Sequence, residues 1–207
     1  MDDSAERRAK GILVLEHVKI IRKAKDQRLI EGLSSEERRI VASHVLPSSW
    51  YPYDFYAKAI DLVHRHVSHS NPEAARDMGR HLGSSLFQGP YAQFLKEEDF
   101  EGTARGFITV WRNLFSFGQV TFSKPKPFNA DGSMTAMVGN IEGFTDIPRA
   151  LCLMLQGFVE KAFEAAGTKE FSITEISCAS LGADKCVYRV AWPSVPEVLV
   201  APPSQGR

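Results

Sequence analysis

The chain has no run approaching eighteen consecutive apolar residues, so no membrane-spanning helix is expected. It has no excess of either charge, with 25 Lys and Arg against 25 Asp and Glu in 207 residues. Such a balance generates no global basic field, and neither nucleic acid nor an anionic membrane surface is an expected partner. Cysteine is scarce and odd in number, at three, which suits a reducing compartment better than a disulfide framework. The opening Met1-Asp-Asp-Ser-Ala-Glu6 is acidic where a secretion signal is basic and then apolar, so a cytoplasmic location is expected. Catalytic signatures are missing as well: there is no Gly-x-Ser-x-Gly, no Gly-x4-Gly-Lys, no Gly-x-Gly-x-x-Gly and no His-Glu-x-x-His. What remains, at 43% apolar and 24% charged residues, is the composition of a globular domain with a sizeable core.

Helical signals come first. Residues 1–10 read as a charged, disordered leader, and Gly11–Ile21 is apolar without a period that separates strand from helix. Ser34-Ser35-Glu36-Glu37 is a helix start that must end before Pro47. Five aromatics in the seven residues Trp50–Tyr56 lead into a further helix, and Asn71-Pro72-Glu73 caps another. Phe107, Val110, Trp111, Leu114 and Phe115 then fall on one helix face, closed by Gly118. Strand patterning follows around Val120–Phe122 and Ser133–Ile141, with turn residues between them. A long helix is expected over about 147–166, stopped by Gly167, and a last hairpin joins 169–178 to 186–192. Four prolines in 193–207 read as a mobile tail. The fold class is therefore α+β, with N-terminal helices packed on a twisted antiparallel sheet. Residues 11–192 are expected to form one domain, mainly helical over 11–117 and sheet plus helix over 118–192.

All three cysteines lie in the last third, at 152, 178 and 186. Cys178 and Cys186 flank the expected hairpin turn, Glu175 precedes the first of them by three residues, and Cys152 opens the long helix. Three thiolates and one carboxylate form a closed tetrahedral set of the kind zinc accepts. The spacing alone equally suits three small buried thiols, and it leaves open a cross-strand disulfide. On a straight strand Glu175 and Cys178 point to opposite faces, so a shared site requires a bulge or a strand end near Ile176-Ser177. The set also carries excess negative charge, which Lys185 or nearby backbone N–H groups are expected to offset.

The segment Glu175-Ile-Ser-Cys178-Ala-Ser-Leu-Gly182-Ala-Asp-Lys-Cys186-Val-Tyr188-Arg-Val190 resembles the closing signature of the 4-vinyl-reductase, or hydrocarbon-binding, domain family. That signature is preceded by a helix with a starting cysteine and an interior glycine, matched here by Cys152 and Gly157; the resemblance is strongest over 118–192. It implies a structural zinc held by Cys152, Glu175, Cys178 and Cys186, with no position left open for catalysis. It further implies a fold shared with vesicle-tethering subunits, and hence a homodimer.

Among the remaining residues, His64 and His66 lie on nearly opposite helix faces, and a cation-rich helix end explains them without a metal. His44 and His81 are the histidines left as bases for a cysteine nucleophile, and the sequence places neither near a thiol. The aromatics are mostly core, with Phe107, Trp111 and Phe128 the candidates for lining a pocket. The reading is a non-enzymatic binding module for a small hydrophobic or aromatic ligand, or a dimeric adaptor for a signalling or scaffold protein. The alternatives are an enzyme or accessory protein acting on tetrapyrroles, and a scaffold with no pocket.

Overall fold

A computed structural model of the chain describes residues 6–96, 99–144, 146–167 and 170–194. Among them, strand β1 (Arg8–Lys10) precedes helices α1 (Gly11–Ala24), α2 (Gln27–Glu31) and α3 (Ser35–Ala42). Strand β2 (Trp50–Pro52) leads into α4 (Tyr53–His66), α5 (Pro72–Phe87) and α6 (Phe100–Leu114). Then come β3 (Gln119–Phe122), β4 (Lys126–Pro127), β5 (Met134–Glu142), α7 (Arg149–Ala165), β6 (Ser172–Ser177) and β7 (Cys186–Pro193). The architecture is α+β, as the sequence pattern predicts. Among the described residues no helix is long and apolar enough to cross a membrane.

Local chemistry accounts for most of the boundaries. Ser34 and Glu37 close a reciprocal capping box at the start of α3, and the Asn71 side chain accepts from the Glu73 N–H before Pro72 opens α5. Asp99 caps α6 through the Gly102 N–H, at 2.7 Å. The ambiguous segment at 11–21 is helical because its buried residues, Leu13, Val14, His17, Val18 and Ile21, follow a 3.6-residue period once the neighbouring helices are in place. Residues 8–10 correct the expected leader. They pair antiparallel with β2, Ala9 opposite Tyr51, and Ala9 is fully buried. Residues 1–5 and the expected tail beyond 194 lie outside the described residues.

The main sheet is antiparallel throughout, in the order β3-β5-β7-β6, with β4 also pairing β5. Inward positions alternate with half-exposed ones along β5, where Met137 and Ile141 are buried, and along β7, where Cys186, Tyr188 and Val190 are buried. Helix α7 is buried nearly all round, the mark of a core helix rather than a surface one. It contacts β6, α4 and α6, and above all α5. Glycines set that last approach: a Cβ on Gly79 would stand 1.9 Å from the Met154 carbonyl oxygen, and one on Gly157 would stand 2.0 Å from that of Arg76. The interior glycine of α7 thus lets two helix backbones touch. Beside it the buried Glu160 accepts from Arg76 and Arg80 of α5, with both Nε–H groups at 2.9 Å.

Candidate functional site

Three elements deliver the cysteines to one point. Cys152 sits in the first turn of α7, Cys186 begins β7, and Cys178 follows the end of β6. In β6, Glu175 lies opposite Tyr188 while Ser177, not Ile176, lies opposite Val187. Ile176 is the extra residue of a β-bulge and is 52% exposed. One added residue reverses the strand's parity, so Glu175, opposite the inward Tyr188, and Cys178, beside Cys186, share the inner face. The bulge that a shared site requires is present where the site needs it.

The three sulfurs all lie within 4.8 Å of one another, and Cys152 Sγ is 3.6 Å from Cys186 Sγ. All three side chains are buried and unbridged. The Ala179 N–H points at Cys186 Sγ at 3.4 Å, and Ser180 Oγ lies 3.0 Å from Cys178 Sγ and 3.6 Å from Cys152 Sγ. Tyr188, also buried, donates its hydroxyl to the Cys152 carbonyl at 3.0 Å, tying α7 to β7. A hydrogen bond from the Cys152 thiol draws the Cys186 thiol below the usual range, against the cost of burial; the same bond, with burial, pushes Cys152 up.

Glu175 stands beside this cluster in an asymmetric state. Its Oε2 accepts from Arg149 Nη1 at 2.6 Å, while its Oε1 is buried with no partner among the described residues. The same Arg149 nitrogen donates to Cys178 Sγ at 3.0 Å. The compensating cation expected at Lys185 is thus found elsewhere: Lys185 pairs with Glu142 at 2.8 Å, and Arg149 faces the donor set. Sequence reading missed Arg149 and Ser180. The position of Arg149, one helical turn before Cys152, was the available signal for the first.

The histidines do not join. His81 is exposed, 3.8 Å from Glu16, and among the described residues the cysteine trio is the only such cluster of candidate metal ligands.

A second feature lies on the other side of α7. An apolar cavity of about 20 Å³ is bounded by Leu13, Tyr56, Gly79, Leu82, Trp111, Leu114, Phe115, Leu151, Met154, Leu155 and Phe158. Of the three aromatics expected to line a pocket, Trp111 does. Its indole Nε1 is buried and has no hydrogen-bond partner among the described residues. Phe107 is buried one layer away, packed on Phe158 and Trp111. Phe128 corrects the expectation: it is 46% exposed, under the Arg189 guanidinium. The turn before β5 carries it outward, which helix-face and strand patterns do not report.

Residues 140–191 match the model of the 4-vinyl-reductase domain, the family expected from the cysteine signature. The matched segment runs from the end of β5 through α7 and β6 into β7, and so holds all four candidate metal ligands. No curated protein matches the chain. Among solved structures the chain is similar to an H-NOX protein from S. oneidensis in the Fe(II)NO ligation state. That similarity has 14% identity and a TM-score of 0.57, over 90% of this chain and 99% of that one. It is similar as well to an oxygen-binding H-NOX domain related to soluble guanylate cyclases, with 16% identity and a TM-score of 0.55, over 90% and 96% of the two chains. Identities this low establish a shared fold.

Proposed function

We propose that the chain is a non-enzymatic, zinc-containing binding module that senses a small hydrophobic or aromatic ligand and hands the signal to a partner protein. The observation that carries this reading is the double use of α7. One face of the helix walls the apolar cavity through Leu151, Met154, Leu155 and Phe158, and Cys152 in the same turn enters the sulfur cluster. A ligand that shifts α7 changes the strain on the cluster, and a filled cluster stiffens the wall of the cavity.

The donor set fits zinc. Tetrahedral coordination at Zn–S distances of about 2.3 Å places sulfurs about 3.8 Å apart. The 3.6 Å separation of Cys152 and Cys186 is close to that edge, and the 4.8 Å limit on all pairs asks for a small contraction. A buried carboxylate oxygen without a partner is the remaining donor, at Glu175 Oε1. Four protein ligands would leave no position for water, so the metal would tie α7 to the final hairpin rather than perform chemistry.

The H-NOX neighbours raise a tetrapyrrole reading, since one structure of that family is described by its heme distortion. The residues here do not fit a heme. The cavity wall offers Tyr56 and Met154 but no His or Cys, and its 20 Å³ is about one water molecule's worth of space. The all-apolar wall with one spare donor, Trp111 Nε1–H, suits a compact apolar molecule carrying a single acceptor, once α5 and α7 part slightly. A homodimer belongs to the same proposal, and sedimentation of the purified chain tests it.

Thermal melts with phenol and with toluene, followed alongside zinc per chain, test the reading. Concentration-dependent rises in melting temperature with stoichiometric zinc are expected, about 2.7 kcal/mol at a hundredfold excess over Kd. Flat melts with both compounds mark a scaffold, and a Soret band in purified protein would favour the tetrapyrrole alternative.

A further inference from the structure

We infer that Arg149 is the positioning residue of the metal centre, holding Glu175 in its ligating orientation and offsetting the negative charge of the donor set. The inference rests on the zinc reading above and adds to it a residue outside the four ligands.

Three observations lead to it. First, one atom of Arg149 touches two members of the set, Nη1 donating to Glu175 Oε2 at 2.6 Å and to Cys178 Sγ at 3.0 Å. Second, that contact divides the carboxylate. Oε2 is taken by the guanidinium, while Oε1 is buried without a partner among the described residues. A carboxylate that binds a metal through one oxygen and an outer donor through the other is held in rotation as well as in place. Third, three thiolates and a carboxylate around a divalent cation leave two negative charges in a mostly buried site. Lys185 is engaged by Glu142, and Arg149 is the cation in contact with the donors.

Geometry explains why this task falls to an arginine at this place. Arg149 is the first residue of α7 and Cys152 lies three residues on, so both side chains project from the same helix end toward the β6–β7 turn. The helix N-terminus adds positive potential at the same end. The side chain is 37% exposed against 16% for Glu175, so the cation reaches in from the rim while the carboxylate stays inside. A planar guanidinium serves two acceptors at fixed angles, which an ammonium on a flexible stem does not.

The test compares the parent with R149M and R149K, each stripped by chelator under reducing conditions. Zinc affinity is read by competition with a chromophoric chelator, and the ligand field by the visible spectrum of the cobalt(II)-loaded protein. R149M is expected to bind zinc roughly 10- to 100-fold more weakly, the usual cost of losing an outer partner of a ligand. Its cobalt d–d bands should shift, because Glu175 is no longer held. R149K should recover part of the affinity through charge without recovering the parent spectrum. Adding E175Q to R149M should cost less than E175Q alone, since the two residues act through one contact. If R149M fails to fold, R149Q, which keeps an N–H donor but no charge, carries the same expectation. Unchanged affinity and spectrum in the variant that folds overturn the role of Arg149 and leave the zinc site standing. A parent that binds no zinc overturns both.

Discussion

Cys152 and Cys186 are 34 residues apart in the chain and their sulfurs are 3.6 Å apart in space, one from the start of a helix and the other from the start of a strand. No local element joins them, so whatever holds the two sulfurs together also holds α7 to the final hairpin. Replacing Cys186 or Cys178 with Ser should therefore remove stoichiometric zinc and lower stability by several kcal/mol, because metal binding energy is folding energy. Zinc per chain and the denaturant midpoint check this together. Variants that keep both at parental values would leave three ordinary buried thiols.

Gly157→Ala sets two effects against each other. Alanine in a helix interior is favoured by up to about 1 kcal/mol, but its Cβ would lie 2.0 Å from the Arg76 carbonyl oxygen, in rigid backbone. Overpacking is the larger effect, and a net loss of about 2 kcal/mol is expected, with a similar loss for Gly79→Ala. A rise in melting temperature for either variant would mean that the helices do not approach this closely.

His17 is buried against the ring of Tyr56, and desolvation lowers its pKa from 6.5 to about 4. The unfolded chain then binds the extra proton first as pH falls. Stability is complete above pH 6.5 and declines between 6.5 and 4, by about 3 kcal/mol over the window. Urea titrations at about pH 7.5 and about pH 4.5 measure the decline, and His17→Phe should remove most of it.

Glu160→Ala would leave Arg76 and Arg80 facing each other at the α5–α7 contact with no carboxylate between them. Both arginines are partly solvated, so the expected loss is about 2 kcal/mol rather than the larger cost of a fully buried pair. Equilibrium unfolding reads it directly.

Trp111→Phe removes a buried N–H without a partner, so its cost should stay near about 1 kcal/mol, below that of Trp→Ala. If that N–H is the ligand's donor, the variant should still be stabilised by toluene and should lose any additional stabilisation by phenol. Melts in the presence of each compound separate the two.

Much of this could be read before any coordinates. The Ser34 and Asn71 caps, the stop at Gly167, the final hairpin and the grouping of Cys152, Glu175, Cys178 and Cys186 all rest on short-range chemistry or on a compact signature. Strand β1 was not legible, because the residues that make Arg8–Lys10 a strand are at 50–52, more than forty positions away. Strand β4, two residues long, exists only through its pairing with β5. Phe128 has the composition of a pocket residue and the position of a surface one.

The sequence by itself determined which groups could act: an odd, small number of thiols beside one glutamate, a helix with a glycine in its middle, and aromatics at helical spacing. Those are properties of residue type and of periods of two or 3.6, which a linear chain displays. Only the tertiary structure decided that Ile176 bulges and turns Glu175 and Cys178 to one face, and that Arg149 rather than Lys185 meets the donors. It also decided that Trp111 keeps a spare N–H at an apolar cavity. Each of those outcomes depends on which strand pairs in which register, and register is settled by burial across the whole core rather than by any segment of it.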